Sequence, residues 1–129
     1  MTAIPTYNPT IITFDGGTND ALGIGGTDPT YIMTQWGLAI DAVCAAAPAA
    51  QLCVFSILAM SNVTGKAVAE NANALLPALI ATKKAAGLRV HLFDMSAMLE
   101  ADLVDGIHPS DPGYLKEGSI LANKLISLL

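Results

Sequence analysis

Asp105-Gly106-Ile107-His108-Pro109 sets a carboxylate three residues ahead of one of the chain's two histidines. Imidazole takes and returns a proton near neutral pH without assistance. A carboxylate bonded to its far nitrogen fixes the tautomer and supports the imidazolium that forms during acyl transfer. The spacing therefore offers His108 as a general base and Asp105 as its orienter. The same residues also suit a polar turn ahead of a helix. A second polar stretch, Gly16-Gly17-Thr18-Asn19-Asp20, closes the first apolar run. Gly, Asn and Asp form turns, so this stretch is ambiguous alone. The other histidine, His91, falls mid-strand and reads as structural.

Positioning these residues requires an ordered scaffold, and the chain predicts one. Thr10 to Phe14 is a β-rich run that reads as a strand buried on both faces. A Gly-rich loop is expected from Thr18 to Gly26. Asp28-Pro29 marks a helix start, and Ile32, Trp36, Ala39, Ile40 and Val43 recur at helical spacing up to Pro48. Leu52 to Ile57 is a second apolar strand. After a loop over residues 59–65 comes a long helical pattern, with Val68, Ala72, Leu75, Leu76, Leu79 and Ile80 on one face. Gly87 ends it, and Pro77 inside it predicts a kink or break. Arg89 to Phe93 is a third strand, nearer an edge. Residues 95–110 form a long irregular connection, a common place for function. Asp111-Pro112 opens the last helix, which runs to about Leu128.

Strand and helix alternate three times. Such alternation implies an α/β fold with a parallel sheet, right-handed crossovers and helices on its faces. Ligands in these sheets sit beyond the carboxyl ends of the strands. The loops carrying Asn19 and His108 both leave that rim.

Composition sets the outer bounds. At 129 residues the chain forms one domain, and 53% apolar against 13% charged residues argues for a substantial core. The net charge of -5 argues against nucleic acid or an anionic membrane as partner. No apolar run is long enough to span a bilayer. Met1 to Pro9 lack the features of a signal peptide, so the chain as written reads as cytoplasmic. Cys44 and Cys53 read as small buried thiols. No cluster has metal-ligand spacing, and no cofactor is expected. Gly23 to Gly26 matches a phosphate cradle only loosely.

Taken together, Gly17-Thr18-Asn19-Asp20 after an apolar strand resembles the Gly-x-Asn-Asp block of the GDSL/SGNH hydrolases. Asp105-Gly106-Ile107-His108-Pro109, followed by Asp111-Pro112-Gly113-Tyr114, resembles that family's last block, in wording close to its acetyl-xylan-esterase-like branch. The resemblance runs from Thr6 to Leu129. It implies a three-layer, flavodoxin-like α/β/α fold acting on esters of sugars, lipids and small acyl groups. By resemblance, Asn19 matches the side-chain donor of the oxyanion hole, His108 the base and Asp105 its orienter. Gly17 keeps the backbone close to the reacting acyl group.

The family's nucleophilic serine, in a Gly-Asp-Ser-Leu block, precedes Gly-x-Asn-Asp. Only sixteen residues precede Gly17 here, and none is a serine. The chain thus resembles the last two-thirds of such an enzyme, with the sheet reduced to about three strands. Ser61 is the best surrogate nucleophile, since its loop leaves the second strand on the active rim. Ser56 is expected to pack inside, and Thr18 and Ser110 to serve turns and caps. Water activated by His108 is the remaining alternative, and two other readings stand beside these: a non-catalytic, self-associating remnant, or one half of a split hydrolase whose partner supplies the serine. The strand at residues 11–14 is expected to present an open edge and to pair with another copy.

Overall fold

The computed structural model describes residues 3–24 and 28–128. Three short strands, β1 (Ile11–Phe14), β2 (Gln51–Phe55) and β3 (Val90–Phe93), form one parallel sheet in the order β1-β2-β3. Ile12 pairs with Leu52 and Val54 with Leu92, so apolar residues lie in register across the sheet.

Among the described residues, five helices accompany it: α1 (Ala3–Tyr7), α2 (Thr18–Ala21), α3 (Pro29–Ala46), α4 (Val63–Ala85) and α5 (Asp111–Ile126). The period-2 alternation of the strands divides them between two faces. Ile12, Phe14, Leu52, Val54 and Val90 meet Ile32, Trp36 and Ile40 of α3 and Leu76 and Ile80 of α4 in the larger core. Ile11, Cys53, Phe55 and Phe93 turn the other way and meet Ile120, Leu121 and Leu125 of α5. The result is the expected α/β fold in three layers. Cys44 and Cys53 are free and buried, as expected.

Each long helix begins on a side-chain cap, which satisfies backbone N–H groups the helix itself leaves open. Asp28 accepts from Thr30 N at 2.9 Å, Asn62 from Gly65 N at 2.8 Å, and Ser110 from Gly113 N at 3.2 Å. At the far end of α4, Gly87 has φ +86°. Its N–H and that of Leu88 bond back to Lys84 O and Lys83 O, a Schellman closure that needs the left-handed residue.

Several expectations change. Residues 18–21 form a helical turn rather than loop, and Gly25 and Gly26 lie outside the described residues. Helix α4 starts at Val63, because Asn62 caps it inside the stretch read as loop. It runs unbroken through Pro77, which sits on the exposed face, where the lost backbone bond stays wet. Leu75 is exposed and Ala69 takes an inward place. Strand β1 is not buried on both faces: Thr13 is exposed and its neighbours are half-buried, because only β2 flanks it. The connection over residues 95–110 contains a 3-10 turn at Glu100–Asp102 and a bridge between Leu103 and Pro109.

Candidate active site

The carboxyl ends of the strands are held in place by polar clamps. Asn73, inside α4, accepts from Ile57 N and donates to Ile57 O, both at 2.8 Å, so the exit of β2 is fixed against that helix. Buried Ser56 accepts from Met95 N at 2.8 Å and ties the exits of β2 and β3 together. That is the packed role expected of Ser56.

The segment 103–109 folds back on itself. Val104 N bonds to His108 O at 2.8 Å, and Ser110 N to Asp102 O at 2.8 Å. At its tip Gly106 has φ +82°, and a side chain there would collide with Ser61 Oγ. Within this turn Asp105 Oδ1 accepts from Ile107 N (3.0 Å) and His108 N (2.8 Å). Asp105 Oδ2 lies 2.7 Å from His108 Nδ1. The bonds from the His108 backbone and ring hold the Asp105 carboxyl down at a pKa of about 2. An ionised carboxylate only accepts, so Nδ1 carries the proton and Nε2 is left as the free base.

On the other side of the rim, Gly17 precedes α2 with φ +84°. A Cβ there would meet Ile57 and Trp36 at 2.7–2.8 Å, so only glycine lets the chain turn under the core. The turn brings Asn19 to the surface, where Asn19 O accepts from Ile24 N at 2.9 Å. Its carboxamide makes no hydrogen bond among the described residues.

Asn19 and His108 line one cleft of about 520 Å³. Asp15, Thr18 and Leu58 line it from the strand exits, and Ile107, Pro109, Tyr114 and Glu117 from the last segment and α5. Partial enclosure raises the pKa of Asp15, against a backbone bond from Gly16. Burial, and then the charge of Asp15, raises that of Glu117. A separate, mostly apolar cavity of about 290 Å³ holds Met60, Met95 and Met98 and none of the proposed site residues.

The structure thus brings together Asn19, His108 and, through His108, Asp105. Gly17 supports the turn beneath them and does not line the cleft. Ser61 is not brought to it. Its N–H bonds to Gly106 O at 2.9 Å and its hydroxyl to the same oxygen at 3.4 Å, so it buttresses the histidine turn. Thr18 lines the cleft as well as opening α2, and Ser110 is a cap, as expected. Asp15 and Glu117 went unremarked in the sequence, and Tyr114 entered only as part of the last block, not as a cleft residue. The signal for Asp15 was its place directly after the first strand, where ligands gather. His91 is structural: its Nε2 lies 2.7 Å from the Gln51 amide, which turns its oxygen to Arg89.

Solved structures share this architecture. A carbohydrate esterase family 3 protein from Talaromyces cellulolyticus matches with TM-score 0.83 and 26% identity, over 97% of this chain and 61% of its own. A family 3 carbohydrate esterase from Clostridium thermocellum matches with TM-score 0.75 and 24% identity, over 97% of this chain and 60% of its own. A GDSL-like lipase from Bacteroides thetaiotaomicron shares the fold at TM-score 0.68 and 17% identity, over 94% and 64%. The chain spans about three-fifths of the length of these structures. A scan against protein-family models gives no match, and a search of curated protein sequences gives none. These neighbours share the three-layer α/β architecture of this chain.

Proposed function

We propose that this chain, a GDSL/SGNH-type hydrolase fold in origin, hydrolyses short acyl esters or acetylated sugars in the cleft that His108 and Asn19 line. One observation carries the reading: the imidazole with its oriented carboxylate opens on the same space as an unengaged carboxamide. Esterase and acetyl esterase neighbours support the substrate class.

Nε2 of His108 takes a proton from the attacking oxygen while that oxygen adds to the ester carbonyl. Asp105 keeps the imidazolium in place. The Asn19 amide donates to the oxyanion as charge develops there, a contribution of roughly 3–4 kcal/mol for one such donor. Collapse breaks the bond to the alcohol, and the imidazolium returns its proton to the leaving oxygen. No step needs a cofactor. For the chain alone, water is the better attacking group than Ser61, whose hydroxyl faces Gly106 and not the cleft. A site lacking its nucleophile still gains roughly a thousandfold over uncatalysed hydrolysis from the oxyanion donor and binding.

A second reading rests on the same cleft. No serine lines it among the described residues, which also suits one half of a split hydrolase or a non-catalytic remnant. A short-chain chromogenic ester decides. Turnover above buffer that disappears in His108→Ala supports the hydrolase. Turnover appearing only when a peptide bearing a Gly-Asp-Ser block is added supports the split form. None in either case leaves the remnant.

A further inference from the structure

The cleft has a charge pattern that the hydrolytic steps do not use. Asp15 enters it where the chain leaves β1, and Glu117 faces it from α5. No lysine or arginine lines it among the described residues. Lys116, next to Glu117 in sequence, is held 2.6 Å from Asp102 and is already paired. Neither Asp15 nor Glu117 has an ion-pair partner among the described residues. Glu117 is half-buried, so solvent screens it incompletely.

We propose that Asp15 and Glu117 are specificity-determining residues that make the cleft favour esters of cationic alcohols over neutral ones, and neutral over anionic ones. This rests on the reading that an ester sits in this cleft. Two like charges on the walls of a concave surface add their fields where a ligand sits. A ligand cation about 4 Å from one carboxylate gains roughly fivefold in affinity even with the dielectric of water. An anion loses as much. The same field disfavours rebinding of the carboxylate product.

Acetylcholine and 3,3-dimethylbutyl acetate share shape and acyl group and differ in one charge. Their kcat/KM ratio, taken at about pH 8 where ordinary carboxylates are ionised, reads the charge preference directly. The ratio is expected to favour acetylcholine by roughly fivefold or more. It should fall toward one in Asp15→Asn with Glu117→Gln, and in the unaltered protein as salt rises from roughly 0.02 to 0.5 M. The salt series needs no variant. Choline and 3,3-dimethylbutanol, followed by the His108 ring resonances, give the same comparison without turnover. Choline bound more tightly while no ester is cleaved removes the hydrolase reading and keeps this inference. Equal binding of the two alcohols, or a preference that neither salt nor the substitutions alter, overturns it.

Discussion

A single carboxylate holds His108 twice: Asp105 Oδ2 lies 2.7 Å from the ring Nδ1, and Asp105 Oδ1 accepts the backbone N–H of the same residue at 2.8 Å. Ring orientation and turn geometry are therefore one structural fact. Removing the charge should disturb both.

Asp105→Asn is expected to lower ester turnover on the order of a hundredfold, measured as kcat on a chromogenic acetate. Loss of an orienting carboxylate costs roughly ten-thousandfold where it is buried, and Asp105 is exposed. The pH dependence has a definite sign. The folded pKa of about 2 lies below the ordinary carboxylate value. The stability that Asp105 contributes is thus full above about pH 4 and is lost as pH falls through about 2. Chemical denaturation of wild type and variant should differ near neutral pH and converge near pH 2. A constant difference across that range would count against the pair.

Asn19→Ala should reduce kcat by about 10²–10³ while leaving stability within about 0.5 kcal/mol. Its side chain has no hydrogen-bond partner to lose among the described residues. A large drop in thermal midpoint would show a structural role instead.

Ser61→Ala tests the attacking group. Water attack predicts turnover within about twofold of wild type by the logic of free-energy comparison, and a loss above a hundredfold would restore Ser61 as nucleophile. Gly106→Ala is expected to destabilise by at least about 1–2 kcal/mol, since the residue has φ +82° and faces Ser61 Oγ. Ser61→Gly in that background should recover part of the loss, read by urea denaturation.

The hydrogen-bonded pair was legible because it is local: Asp105 and His108 are three residues apart and flanked by turn chemistry. The layers were legible from Leu52-Cys53-Val54-Phe55, whose alternate residues fill the two cores. Asp15 and Glu117 were not, because one looks like a turn former and the other like a solvated helix residue. Their meeting depends on how α5 lies against the sheet, which no local pattern encodes. Asn73 was hidden likewise, since its clamp on Ile57 is set by tertiary packing. Pro77 misled because its cost depends on which face of the helix it occupies.

The edge of β1 makes a separate prediction. Thr10 O accepts from Gln51 N at 2.9 Å, so parallel alternation leaves the backbone groups of Ile11 and Thr13 on the outer edge. An open edge pairs readily. Sedimentation should show a concentration-dependent dimer, and Thr13→Pro, which removes an outer N–H, should shift it to monomer. A monomer for the unaltered chain at high concentration would contradict edge pairing.

On the proposed mechanism the imidazole of His108 and the carboxamide of Asn19 serve one transition state. A double-substitution cycle in ester hydrolysis, His108→Ala with Asn19→Ala, tests it most directly. The two losses should overlap, so that the double variant is little slower than the worse single one. Losses that multiply in full, or turnover indifferent to both substitutions, would contradict it.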